Sequence, residues 1–131
     1  MRVWGELSLA QHCVMVGAIE QVDLSSLLHD WSPNWADEDF LADIQVLSDA
    51  VVELSDGGLV DVWPSSDVSE FPVRDAALRD LVASLGAWVP GEDGALQVMG
   101  WLSTTDAGDR VVETAERATM YAYRGRPGRN P

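Results

Sequence analysis

The chain has 131 residues, 47% of them hydrophobic, and a net charge of −14 from 22 carboxylates and eight basic residues, all of them arginine. This length and apolar content suit one folded domain and exclude wholesale disorder, while the charge argues against direct nucleic-acid binding, which takes cations. The single cysteine, Cys13, excludes an internal disulfide. No stretch reads as a secretory leader or a membrane span, so a cytoplasmic location is expected.

In chain order, residues 6–22 are compatible with a helix through Leu7, Leu9, Ala10, Val14, Val16, Ala18 and Ile19, although these define no sharp face. A short helical turn is expected at 24–29, capped by Asp23 or Ser25, and Pro33 forces a break after it. The clearest element is a helix over 36–54. Phe40, Ile44, Leu47, Val51 and Leu54 recur at spacings of four and three and so fall on one face. Asp37, Glu38 and Asp39 would lie in its first turn, where the helix dipole favours negative charge, and Asp43, Asp49 and Glu53 fall off the apolar stripe. Asp56-Gly57-Gly58 reads as its stop, because glycine takes the left-handed conformation that a C-terminal cap needs.

A strand follows over 59–63, halted by Pro64, and then a polar loop over 65–70. Residues 71–88 read as a second amphipathic helix, with Pro72 near its start and Val73, Ala77, Leu81, Leu85 and Trp88 close to one face. After a turn at 90–94, alternation over 96–102 suggests a second strand, weakened by Gly100. Thr104 or Thr105 is placed to cap a last helix running to about Thr119. The domain is expected to occupy 1–123, with 124–131 as a flexible tail of Arg, Gly and Pro.

Charge is segregated along the chain. Between Val3 and Val73 there is no basic side chain and there are fourteen carboxylates, whereas every basic residue except Arg2 lies from Arg74 onward. Such a block produces a negative potential that attracts basic partners. Trp31 and Trp35 flank an expected loop, and Trp63 ends an expected strand. Aromatic anchors ringed by carboxylates suit a basic protein partner, so Trp31, Trp35, Asp37, Glu38, Asp39, Asp43, Asp49, Glu53 and Trp63 are the candidate partner-binding residues. The competing reading of each indole is closure of a small core.

Three helices followed by two strands is the plan of a winged helix-turn-helix domain. The segment Trp101-Leu102-Ser103-Thr104-Thr105-Asp106-Ala107-Gly108-Asp109-Arg110 resembles a wing strand running into a bacterial winged-helix helix start, and residues 52–62 resemble a third helix passing into the first wing strand. The resemblance spans roughly residues 24–118. It implies an α+β, mainly helical, winged-helix-like domain with a two- or three-stranded antiparallel sheet. One departure is the helix expected at 71–88, where winged helices have a tight turn. A group of actinobacterial proteins looks similar in carrying such an insertion, and that likeness brings no known activity. DNA-reading winged helices present basic residues on the third helix, but here the 36–54 helix presents acids and no cation.

His12-Cys13 invites a metal or nucleophile reading. Adjacent helical residues point about 100 degrees apart, however, and the only other histidine is His29, so a core Cys beside a partly buried His is expected. The cluster 37–39 could do acid–base work, but capping explains it without catalysis. No phosphate loop, nucleophile elbow or calcium loop is present, and neither cofactor nor metal is expected. The sequence therefore predicts a non-enzymatic acidic protein, an immunity- or antitoxin-type inhibitor that occludes a basic partner such as a toxin. A winged-helix transcriptional regulator or DNA mimic is the alternative, and an enzyme of unknown type the third.

Overall fold

The computed structural model describes residues 3–32, 40–64 and 71–125. It is mainly helical, with a two-stranded antiparallel sheet, in the order α1 (Leu9–Glu20), α2 (Leu24–Trp31), α3 (Phe40–Asp56), β1 (Val60–Trp63), α4 (Asp75–Ala83), β2 (Trp101–Thr104) and α5 (Asp106–Glu113). Short 3₁₀ turns at Trp4–Glu6, Leu85–Ala87, Arg117–Thr119 and Ala122–Gly125 complete it.

Ser8 opens α1 with a reciprocal cap: its hydroxyl accepts from the Gln11 amide at 3.1 Å, and the Gln11 side chain accepts from the Ser8 amide at 2.9 Å. Every residue from Ala10 to Ala18 is buried. That explains why the sequence shows no sharp apolar face, since α1 is the central helix and packs on α2, α3 and β2. Helix α2 is capped by Asp23, which accepts from the Ser26 amide at 2.8 Å, and it buries Leu24, Leu27, Leu28 and Trp31. At Gly17 a Cβ would come within 2.9 Å of the Leu27 side chain, so glycine there permits the α1–α2 approach.

The apolar stripe expected on α3 is buried at Ile44, Leu47, Val51 and Leu54. Its C-terminus is closed by hydrogen bonds that the Gly58 amide donates to the Ser55 carbonyl and the Leu59 amide to the Leu54 carbonyl, with Gly58 at a φ of 75°. The chain then enters β1, whose partners in β2 run Val60 to Thr104 through Trp63 to Trp101. Val60, Val62 and Leu102 face the core, while Asp61, Trp63, Trp101 and Ser103 form the half-buried outer face. Helix α5 starts at Thr105, whose hydroxyl accepts from the Gly108 amide and donates to the Gly58 carbonyl.

Three elements differ from the sequence reading. The helix expected over 71–88 is divided into α4 and the 3₁₀ turn Leu85–Ala87. Val73 donates to the Val62 carbonyl at 2.7 Å, which holds the chain extended until Arg74, and the extended conformation of Ser84 ends α4. The buried face is accordingly Leu78, Leu81 and Val82, and Ala77 and Leu85 are exposed. The second strand is confined to Trp101–Thr104 because β1 offers only four residues to pair with; the backbone of Gly100 instead accepts from the Leu24 amide. The last helix stops at Glu113, where the Thr114 hydroxyl donates to the Val111 carbonyl.

Candidate functional site

A groove of about 560 Å³ runs between α3 and α4. Leu41, Ile44, Ser48 and Val52 supply one wall from successive turns of α3, and Val82, Ala83 and Leu85 supply the other. Leu41 is 59% exposed and Leu85 50%, so the groove keeps large apolar surface in contact with water. The Ser48 hydroxyl donates across to the Val82 carbonyl at 3.1 Å and ties the two walls together. Exposed Gln45, Asp49, Glu53 and Arg79 also line it.

Three carboxylates of α3, two of them lining the groove, are engaged by neutral donors. Asp43 accepts from the Trp31 indole at 3.2 Å, Asp49 from the Gln45 amide at 2.9 Å and Glu53 from the Gln11 amide at 3.0 Å. These bonds orient the acids and leave their charge in place. Three other carboxylates meet arginines: Asp61 with Arg74 at 2.7 Å, Asp56 with Arg79 at 3.1 Å and Asp30 with Arg124 at 3.0 Å. Arg79, the only cation among the described residues lining the groove, is thus held by Asp56.

Of the residues selected from sequence, Asp49 and Glu53 line the groove and Asp43 lies half-buried on the same helix. Trp31 does not stand in a loop. It is the last residue of α2, only 6% exposed, and its indole fastens α2 to α3 through Asp43. Trp63 is half-buried on the outer face of the sheet and donates to the Ser103 hydroxyl at 2.9 Å, away from the groove lining. Trp35, Asp37, Glu38 and Asp39 lie outside the described residues. The sequence reading missed Leu41, Val52 and Leu85. The available signal was two further apolar positions on α3, Leu41 and Val52, which extend the helix's apolar surface beyond the stripe that the core uses.

A comparison with known protein families, curated proteins and solved structures finds no match for this chain. Its chemistry therefore rests on its own geometry.

Two further clusters are structural. His12 is buried rather than partly exposed; it stacks on Trp4 at 4.3 Å between centroids, and its Nε2–H donates to the Trp4 carbonyl at 2.7 Å. Cys13 beside it is also buried. At the other end of the chain Tyr123 is fully buried, and its hydroxyl donates to Asp30, the same carboxylate that Arg124 pairs with. Burial pushes the Tyr123 phenol well above its ordinary value; the hydrogen bond to Asp30 and the charges of Cys13 and Asp30 add to that, with Arg124 opposing. Tyr123 and Arg124 lie in the turn Ala122–Gly125, so the start of the expected tail, Arg124, is docked on α2. Residues 126–131 lie outside the described residues. Among the described residues no helix is long and apolar enough to cross a membrane.

Proposed function

We propose that this chain is a non-enzymatic acidic binding protein that occludes a basic partner, an inhibitor of the immunity or antitoxin type acting on a basic effector such as a toxin. The observation that carries the reading is the state of the α3 acids. Asp49 and Glu53 are bonded only to neutral donors among the described residues, beside an open apolar groove. Apolar surface gives a partner its anchor, and unneutralised charge at its rim steers the approach. A partner recovered by the immobilised chain is expected to associate at a rate that falls at least tenfold between 20 and 300 mM salt, and to lose its activity when bound. A salt-independent rate, or a bound partner of full activity, refutes the proposal.

The order of elements favours a second reading, a winged-helix-like DNA mimic that titrates a regulator. In that reading α3 holds the place of a DNA-reading helix and displays acids where DNA itself displays phosphates. The partner is then a DNA-binding protein, and duplex DNA competes with this chain for it. A mobility shift of duplex DNA by this chain at physiological salt overturns both readings.

A further inference from the structure

We propose that the groove between α3 and α4 receives an amphipathic α-helix of the basic partner, with apolar side chains seated between Leu41 and Leu85 and an arginine or lysine beside Asp49 and Glu53. This inference rests on the binding reading above and specifies which part of the partner is gripped.

Backbone chemistry selects a helix over an extended segment. Both long walls are helices, whose mid-helix amides and carbonyls already bond within each helix, so they offer no ladder to a strand. An extended peptide would have to bury its own backbone groups unpaired, whereas a helix satisfies them internally and presents only side chains. The dimensions agree. From Leu41 to Glu53 is twelve residues of α3, about 18 Å of helix, which matches roughly three turns of an incoming helix laid alongside. The volume of about 560 Å³ is room for several side chains and is open to solvent along Leu41 and Leu85.

Charge decides who supplies that helix. Asp49 and Glu53 keep their charge at the groove, and Arg79, the one cation lining it among the described residues, is already paired with Asp56. A second copy of this chain would bring another net charge of −14 to the same acids and be repelled. A helix with a basic flank meets the opposite condition: its cations find Asp49 and Glu53, and its apolar face covers Leu41 and Leu85.

The test uses the full chain and a fluorescent 14-residue peptide with leucines at i, i+3, i+4 and i+7 and arginines flanking them, beside a scrambled peptide of identical composition. Anisotropy titrations in 20 mM salt are expected to show the amphipathic peptide binding at least tenfold more tightly. Amide shifts should move along α3 and the start of the Leu85 turn. Leu41→Ser/Leu85→Ser should weaken the amphipathic peptide about tenfold with circular dichroism and melting unchanged, because both side chains are already exposed. Asp49→Asn/Glu53→Gln should weaken it and flatten the salt dependence. Equal binding of both peptides, indifferent to Leu41→Ser/Leu85→Ser, overturns the groove and leaves the charge-driven reading standing. Failure of both peptides to bind in 20 mM salt overturns the two together.

Discussion

Tyr123→Phe isolates one hydroxyl at the closure of the fold. In the folded chain this hydroxyl donates to Asp30 from a fully buried ring. A hydrogen bond to a charged group contributes about 1.5–3 kcal/mol. Asp30 keeps its Arg124 partner at 3.0 Å, and its side chain is 32% exposed, so water can replace the lost donor. The low end applies, and at pH 7 the variant should be less stable by about 1.5 kcal/mol.

The alkaline limb makes the prediction sharper. Folding raises the Tyr123 pKa from its ordinary 10.0, so the neutral phenol is favoured in the folded state. Its contribution is complete below pH 10 and is lost as pH rises above that, because the unfolded phenol ionises while the folded one holds its proton. For one proton released on unfolding the loss between pH 9 and pH 11.5 is about 2 kcal/mol at most. Urea unfolding at half-unit steps of pH should show the wild type approaching Tyr123→Phe and meeting or crossing it near pH 11.5. A gap that stays constant across the window would refute the assignment of a buried, proton-holding phenol at this position.

Gly108→Ala should destabilise by about 1–3 kcal/mol in urea unfolding, because a Cβ there would overlap the Leu59 carbonyl oxygen, a backbone atom with little freedom to retreat. An unaffected midpoint means that α5 is not seated on Leu59. Thr105→Ala removes both the cap on the Gly108 amide and the bond to the Gly58 carbonyl and should cost about 1–2 kcal/mol, with Thr105→Ser close to wild type; equal losses in the two variants would assign the effect to packing. Asp49→Asn/Glu53→Gln relieves repulsion within a chain of net charge −14. It should leave stability unchanged or raise it by a few tenths of a kcal/mol at low salt, while slowing association with the basic partner; a stability loss above about 1 kcal/mol would assign these acids to the fold instead.

The sequence revealed elements where one local signal decided them. The spacing of Ile44, Leu47, Val51 and Leu54 set the buried face of α3 and the glycines at 57–58 its end, while the caps of α2 and α5 were each narrowed to two candidates, of which the structure uses Asp23 rather than Ser25 and Thr105 rather than Thr104. It misled where a distant contact overrode local preference. Nothing near Val73 announces its bond to Val62, yet that bond keeps residues 71–74 out of the helix and shifts the face of α4 from Ala77 and Leu85 to Leu78 and Val82. The candidate site divides in the same way. Asp49 and Glu53 were legible because charged residues off an apolar stripe face water, whereas the fastening of Trp31 to α3 runs through Asp43, twelve residues away. The groove itself needed α4, whose packing against α3 no periodicity on α3 announces.

Segregated charge also acquires a structural meaning. Each ion pair among the described residues joins a carboxylate of the first 73 residues to an arginine beyond them: Asp30 to Arg124, Asp56 to Arg79 and Asp61 to Arg74. The arginine-bearing second part of the chain thus folds back on an acidic first part that contains no counter-charge of its own between Val3 and Val73. Such exposed pairs contribute about 0–1 kcal/mol each, so their placement matters more than their strength. They neutralise the end of α3, the outer face of the sheet and the C-terminal turn, and they stop short of Asp43, Asp49 and Glu53. Were the arginines needed only to relieve repulsion, the groove side of α3 would be the natural place for one, since Arg79 already lines it. Instead Arg79 reaches to Asp56, and Asp49 and Glu53 have no arginine partner among the described residues beside the groove that exposed Leu41 and Leu85 line, where a basic helix can use charge and apolar surface together.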